Sequence, residues 1–300
     1  MRHIFPLILF SFFTICSAKP AKNLILILAD DLGWADTTLY GKTSLYETPN
    51  IERLAKRGMK FSNAYSSPIC SPTRASILTG QNPARHGMTS PAAHLPEVRL
   101  DVIAQTRGVP HQKSCNLKTA TRIRKEVPTL GEILKDNGYQ TAHFGKWHNE
   151  SIKPTEAGYD VTDGPNGNGP GDFDDDGKSH LPDDEPKRIF SLTEKSVDFM
   201  RKQVEADKPF YLQLSHYAMH IWHDSLSETR EKYKLLPKGK KYQKKDDLAE
   251  KDIPLATYNH GWIINYAAML DDTDRAFGRL LDAIEELGIK EHTYVVFTSD

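Results

Sequence analysis

The residues with the most chemistry to offer stand far apart in this 300-residue chain: Asp30-Asp31, Cys70 within Cys70-Ser71-Pro72-Thr73-Arg74, Lys146 and His148 within Gly145-Lys146-Trp147-His148, His220, and Asp300. Adjacent carboxylates repel and resist desolvation, and a hard divalent cation between them relieves both costs; an all-oxygen ligand set points to calcium or magnesium. An isolated Asp-Asp pair is more often a solvated loop or a helix cap, so the metal reading rests on the buried strand that precedes it. Cys70 opens a helix, where unpaired N–H groups and a partial positive charge favour an anion or a developing oxyanion. Arg74, one turn further, brings a planar charge suited to carboxylates or oxyanions. Taken alone, a single cysteine is more commonly a small buried thiol. A Lys and a His in a loop are ordinarily surface groups; directly after a strand they become candidates for charge stabilisation and proton transfer.

The elements that must position these groups read as alternating strand and helix. Residues 24–28 form a continuous apolar run, as in a strand buried on both faces, and deliver Asp30-Asp31 at its end. A helix follows, with Thr48 as cap, Pro49 in its first turn, Ile51, Leu54 and Ala55 on one side, and Gly58 as stop. Residues 130–134, ending at Gly138, repeat the pattern before the short strand 139–144. Ser191 and Glu194 predict a capping box for a helix burying Val197, Met200 and Val204, and Pro209 precedes the strand 210–214. Trp262, Tyr266, Met269, Leu270, Phe277, Leu280, Leu281, Ile284 and Leu287 make a long helical stripe stopped by Gly288, and the strand 294–298 resumes the sheet before Asp300. This rhythm predicts an α/β fold with a mostly parallel central sheet flanked by helices. The polar stretches 91–127, 150–187 and 224–255 read as excursions that shape a pocket.

The segment Ser67-Pro68-Ile69-Cys70-Ser71-Pro72-Thr73-Arg74-Ala75-Ser76-Ile77-Leu78-Thr79-Gly80 contains Cys-x-Pro-x-Arg and resembles the signature of the formylglycine-dependent sulfatases. The Gly145–His148 element, the carboxylates and the strand-to-histidine segment 210–220 extend the likeness over nearly the whole chain after residue 18. The resemblance implies an alkaline-phosphatase-like fold and hydrolysis of sulfate monoesters, aryl or carbohydrate, through a formylglycine-sulfate intermediate. It implies that Cys70 is oxidised to formylglycine by a transiently bound generating enzyme, and that Asp30, Asp31, Asp300 and the modified Cys70 hold one calcium ion. Arg74, Lys146, His148 and His220 complete the catalytic set it implies, with His148 taking a proton from the second hydroxyl of the hydrated aldehyde and His220 protonating the leaving alcohol. Met219, Ile221 and Trp222 stand where relatives often have Pro, Thr and Pro, which keeps His216 and, more weakly, His223 as rivals of His220. Relatives also carry an Asn directly after the third carboxylate and a Lys further on, so the C-terminal part of the domain is expected to be missing.

Met1-Arg2-His3, the apolar stretch 4–15 and the small residues before Lys19 predict a signal peptide over 1–18, leaving 19–300 as the catalytic domain. The apolar stretch is too short for a membrane span, which needs about 20 residues, so no stable membrane insertion is expected. Export places the chain outside the cell, in a periplasm or in an organelle lumen, and makes a Cys70–Cys115 disulfide permissible, which the context of Cys70 opposes. A net charge of -1 gives no electrostatic reason to expect nucleic acid. Asp172, Asp174, Asp176 and Gly177 match the start of an EF-hand loop and, lacking flanking helices, read as a solvated acidic loop. Asp271, Asp272 and Asp274 read as a solvated helix face, the run 238–245 as an exposed basic loop, and Asn149-Glu150-Ser151 as a sequon that a glycan would not occupy beside His148. Two other functions remain open: a phosphodiesterase or phosphonate hydrolase of the same superfamily, and a non-catalytic binder of sulfated glycans.

Overall fold

The computed structural model describes residues 23–43, 45–93, 95–96, 119–149, 151–171, 181–235 and 260–300. The predicted signal peptide, Cys115, the Asp172–Asp176 loop and the basic run 238–245 lie outside these residues. Five strands, β1 (Asn23–Ala29), β2 (Gln140–Gly145), β3 (Val161–Thr162), β4 (Phe210–Ser215) and β5 (Thr293–Ser299), form one sheet in the order β3-β2-β4-β1-β5. Every pairing is parallel. Gly145 is in register with Ser215, Ser215 with Leu28, and Leu28 with Thr298. Residues that follow these strands therefore emerge side by side on one edge, which is where an open parallel sheet carries its ligands.

Seven α-helices pack around the sheet: α1 (Pro49–Arg57), α2 (Cys70–Thr79), α3 (Pro83–His86), α4 (Leu130–Asp136), α5 (Ile189–Glu205), α6 (Ser227–Leu235) and α7 (His260–Glu286), counted among the described residues. Alternation along β1 sorts them to two faces. Ile25 and Ile27, with Phe144, Leu212 and Leu214, meet Val197, Phe199 and Met200 of α5 and Phe277, Leu280, Leu281 and Ile284 of α7. Leu26 and Tyr211 face the other way, against Ala75 and Leu78 of α2, with Leu130 and Leu134 of α4 at the margin. The helix that carries Cys70 is thus pinned by its own apolar residues to the sheet that carries the carboxylates. Among the described residues β5 is the last strand on its side of the sheet, and its Tyr294 and Val296 are exposed. Among the described residues no helix is long and apolar enough to cross a membrane.

Three local expectations need correction. Thr48 does precede α1, but its hydroxyl accepts the Thr38 N–H and pairs with the Thr38 hydroxyl. The N-terminus of α1 is capped instead from α7, where Asp274 accepts N–H bonds from Asn50 and Ile51, each at 2.9 Å. The Asp271, Asp272 and Asp274 cluster is accordingly buried and not a solvated face. Asp272 does the same service for α6 by accepting from Leu226 N–H and the Thr229 hydroxyl, and Asp271 pairs with Lys232. A carboxylate aimed at unpaired helix N–H groups is stabilised there by the hydrogen bonds and by the helix dipole.

The predicted capping box at Ser191 is absent, because α5 starts at Ile189 and the Ser191 N–H is taken by Glu185. A capping box forms at α4, between Thr129 and Glu132. The excursion 224–255 contains α6, and the excursion 150–187 contains β3.

Candidate active site

Cys70 is the first residue of α2 and is almost fully buried. Ile69, the residue before it, has φ +71°, a left-handed backbone that a β-branched side chain rarely adopts. The turn is held from both sides. The Thr73 N–H donates to the Ile69 carbonyl at 3.2 Å, and the Thr73 hydroxyl to the Ser67 carbonyl. The Ser67 hydroxyl pairs with that of Ser76 at 2.9 Å, and Ser76 lies 3.0 Å from His86 Nε2. His86 Nδ1 accepts the Met88 N–H, so Nε2 is the protonated nitrogen and donates to Ser76. That tautomer makes His86 a brace for the turn and not a base for Ser76.

The charged centre lies where β1, β2, β5 and α2 meet. Arg74 Nη2 sits 2.9 Å from Asp30 Oδ1 and 2.9 Å from Asp300 Oδ2, and its Nη1 donates to the Lys146 carbonyl at 2.5 Å. Lys146 Nζ sits 2.5 Å from Asp30 Oδ2 and 3.3 Å from Cys70 Sγ. Asp300 Oδ1 accepts the Asp31 backbone N–H at 2.9 Å. Arg74, Lys146, Asp30 and Asp300 all have side chains buried to within 2% of completeness, so these pairs interact in a weakly screened environment. Lys146 reaches this position because Gly145, at φ +92°, turns the chain off β2; a Cβ there would collide with the Ser215 carbonyl.

The titration behaviour follows from this packing. Burial alone would raise the Asp30 carboxyl, but the Arg74 and Lys146 charges beside it more than compensate and hold it well below the usual carboxylate range. Asp300 has Arg74 but no ammonium contact, and burial with the neighbouring Asp30 charge pushes it up to about 6. Burial and the Asp30 charge push the Cys70 thiol up to about 12, against the pull of Lys146. An unmodified Cys70 is therefore held as the protonated, unreactive thiol in the metal-free protein.

A cleft of about 420 Å³ opens over Cys70 and is lined by Asp31, Ile69, Cys70, Pro91, His148, Gly167, Asn168 and His220. Of the three histidines weighed after β4, only His220 lines it. His216 is buried with its backbone N–H on the Leu28 carbonyl, and His223 is buried against the rings of Trp262 and Tyr266. His220 Nδ1 lies 2.5 Å from the Ile221 carbonyl, and its Nε2 lies 3.4 Å from Asn168 Nδ2. His148 also lines the cleft, its carbonyl accepting the Ser71 hydroxyl at 3.0 Å. Asn149 is fully buried, so the sequon cannot present it to a glycan.

The sequence reading missed the loop around Asn166 and Asn168. The Asn166 carbonyl accepts the N–H groups of both Trp147 and His148, at 2.7 and 3.0 Å, and so fixes the loop that carries Lys146 and His148. Its signal was present in the small, polar run Gly164-Pro165-Asn166-Gly167-Asn168-Gly169 inside a stretch treated only as an excursion.

One oxygen or sulfur from each of Asp30, Asp31, Cys70 and Asp300 lies within 4.8 Å of the others, as a shared cation would require. The three carboxylates face two cationic side chains, Arg74 and Lys146, which leaves one negative charge uncompensated. The donor set thus fits a hard divalent cation. A helix N-terminus, two buried cationic side chains and an acidic cradle that could hold a cation thus converge at the C-terminal edge of the parallel sheet.

The family model named Sulfatase matches residues 22–300, and the chain belongs to that family. It is 28% identical to the N-acetylgalactosamine-6-sulfatase of Canis lupus familiaris over 94% of its own length and 50% of that protein. It is 27% identical to an ulvan-active sulfatase of Formosa agariphila over 94% of its length and 51% of the relative. The chain thus spans about half the length of these curated relatives. A crystal structure from Bacteroides fragilis superposes with a TM-score of 0.71 at 21% identity, covering 94% of this chain and 62% of that one, and shows that the fold is shared.

Proposed function

We propose that this chain hydrolyses sulfate monoesters at the cleft over Cys70, and that the alcohol is carried by a carbohydrate, as in the N-acetylgalactosamine-6-sulfatase and ulvan-active relatives. The observation that carries the reading is the contact of Lys146 with both Asp30 and Cys70, which puts a buried ammonium where a sulfate on residue 70 would need it. The site's charge adds to this. With one divalent cation the centre has one net positive charge, which a sulfate monoester neutralises and a dianionic phosphate monoester would overshoot. A singly charged phosphodiester satisfies the same balance and is the alternative.

In this reading the generating enzyme, with molecular oxygen as oxidant, converts the CH2–SH of Cys70 to the aldehyde of formylglycine and releases the sulfur; the hydrated aldehyde then offers a hydroxyl that can attack sulfate where the buried thiol cannot. Calcium, held by Asp30, Asp31 and Asp300, would polarise the sulfate oxygens. The protein's own residues do the rest. Arg74 fixes Asp30 and Asp300 relative to each other, Lys146 offsets sulfate charge, and the α2 N-terminus orients the oxyanion. His220 gives a proton to the leaving alcohol, and His148 accepts one from residue 70, roles supported by both residues lining the cleft over Cys70. The segment 1–18 acts as the export signal, which puts the protein where extracellular sulfated glycans occur.

The test is peptide mass spectrometry at position 70 of protein from its native host, combined with turnover of 4-nitrophenyl sulfate and bis(4-nitrophenyl) phosphate. The reading expects an aldehyde or its hydrate at position 70 and preference for the sulfate. An unmodified thiol would favour a glycan binder, and preference for the diester would favour the alternative.

A further inference from the structure

We propose that Trp222 and Trp262 form a stacking platform for the sugar ring beyond the sulfated one, so that the preferred substrate is an oligosaccharide and not an isolated sulfated sugar. The proposal rests on the sulfatase reading and adds to it a site for the glycan chain. Both indoles are exposed, Trp222 at 55% and Trp262 at 46%, although tryptophan usually keeps most of its large apolar surface out of water. They adjoin each other through one residue. His223, next to Trp222 in sequence, packs its ring on Trp262 at 4.3 Å between centroids. Trp262 in turn stacks on Tyr266, with an interplanar angle of 19°, and the Tyr266 hydroxyl donates to Asp36 at 2.7 Å. One indole is therefore braced from behind and needs little ordering when a ligand arrives.

The chain links the platform to the catalytic cleft through His220. His220 lines that cleft, and Trp222 is two residues on, a separation of at most about 7 Å along the backbone. With the sulfate held over Cys70, the ring that bears the ester fills the cleft between His148, Asn168 and His220. The next ring along a glycan then arrives at residue 222. A pyranose has one face of axial C–H groups that packs on an indole and a rim of hydroxyls that suits the polar wall of Asn168 and His220. A small aryl sulfate ends before it reaches Trp222.

The experiment measures kcat and KM of wild type, Trp222→Ala, Trp222→Phe and Trp262→Ala on 4-nitrophenyl sulfate and on mono-, di- and tetrasaccharides of chondroitin sulfate and carrageenan. For wild type, kcat/KM should rise from mono- to tetrasaccharide. Trp222→Ala should lose about tenfold on the longer substrates, chiefly through KM, and nothing on 4-nitrophenyl sulfate. Trp222→Phe should recover most of the loss. If both alanine variants lose nothing, or lose equally on the aryl ester and the tetrasaccharide, the platform is wrong while the sulfatase reading stands. Wild type that turns over 4-nitrophenyl sulfate without any dependence on glycan length has the same meaning. Wild type inactive on every one of these sulfates would overturn both.

Discussion

The ammonium of Lys146 stands 3.3 Å from the sulfur of Cys70 while it is paired at 2.5 Å with Asp30. One side chain therefore both neutralises a fully buried carboxylate and reaches the residue at the mouth of α2. Replacing it with methionine should leave Asp30 with Arg74 alone, and breaking a buried pair in this way costs about 3 kcal/mol. Turnover should fall by about a thousandfold. Urea unfolding in chelator should show the stability loss, and added calcium should restore more stability to Lys146→Met than to wild type. Equal calcium responses would mean that the ammonium and the cation do not share Asp30.

Cys70 offers a direct chemical test. With its thiol pushed up to about 12 by burial and by the Asp30 charge, only about one molecule in ten thousand carries a thiolate at pH 8. Unmodified, metal-free protein should therefore alkylate with iodoacetamide thousands of times more slowly than free cysteine, on the order of the thiolate fraction. Lys146→Met should slow it further, because Lys146 is the largest influence favouring the thiolate. Alkylation at the free-cysteine rate would show that the pocket is open to water.

Asp31 separates cation binding from folding. It is exposed, whereas Asp30 and Asp300 are locked to Arg74. Asp31→Asn should weaken calcium binding by about 10- to 100-fold in calorimetry, yet leave the melting temperature in chelator unchanged. Asp30→Asn should lower that melting temperature even without calcium.

Buried histidines set the acid limit of the fold. Burial lowers His143 to about 3 and His216 to about 4, both below the value of about 6.5 expected in the unfolded chain. Between these values the unfolded state binds more protons than the native state, so stability falls as pH drops below about 6.5. At pH 5 the contribution is about 2 kcal/mol for each such histidine. His143 packs edge-on to Trp147 and Tyr159 and lies 3.2 Å from Ser215 Oγ, beneath the Lys146 loop. His143→Gln should flatten the acid limb of a stability-against-pH curve by close to one proton. An unchanged slope would mean that this ring is already protonated in the native state.

Much of this architecture was legible in the sequence where apolar periodicity and strand ends coincide. The run 24–28, the stripe on α7 and the placement of Asp30, Lys146 and Asp300 directly after strands all reflect local patterns that the parallel sheet preserves. What escaped depends on partners distant in sequence. Asp272 and Asp274 look like any acidic helix face until α6 and α1 are known to end against them. Thr48 carries the right residue type for a cap, yet its hydroxyl is claimed by Thr38. Among the site groups, the types of Asp30, Cys70, Arg74, Lys146 and His148 were readable from motifs, and His220 was favoured over His216 by its place in the loop, with His220 and not His216 lining the cleft. The Asn166 loop had no titratable side chain to announce it, since Asn166 acts through its backbone carbonyl and Asn168 through a neutral amide.

The carboxylates of Asp272 and Asp274 give α7 a mechanical role that its apolar stripe does not suggest. Two other helices are moored by their first turns to a single rod, so that rod cannot fray in its middle without casting both loose. Amide hydrogens at the starts of α1 and α6 should consequently exchange in step with those at the centre of α7, as one cooperative unit, although α1 is separated from the other two by most of the chain.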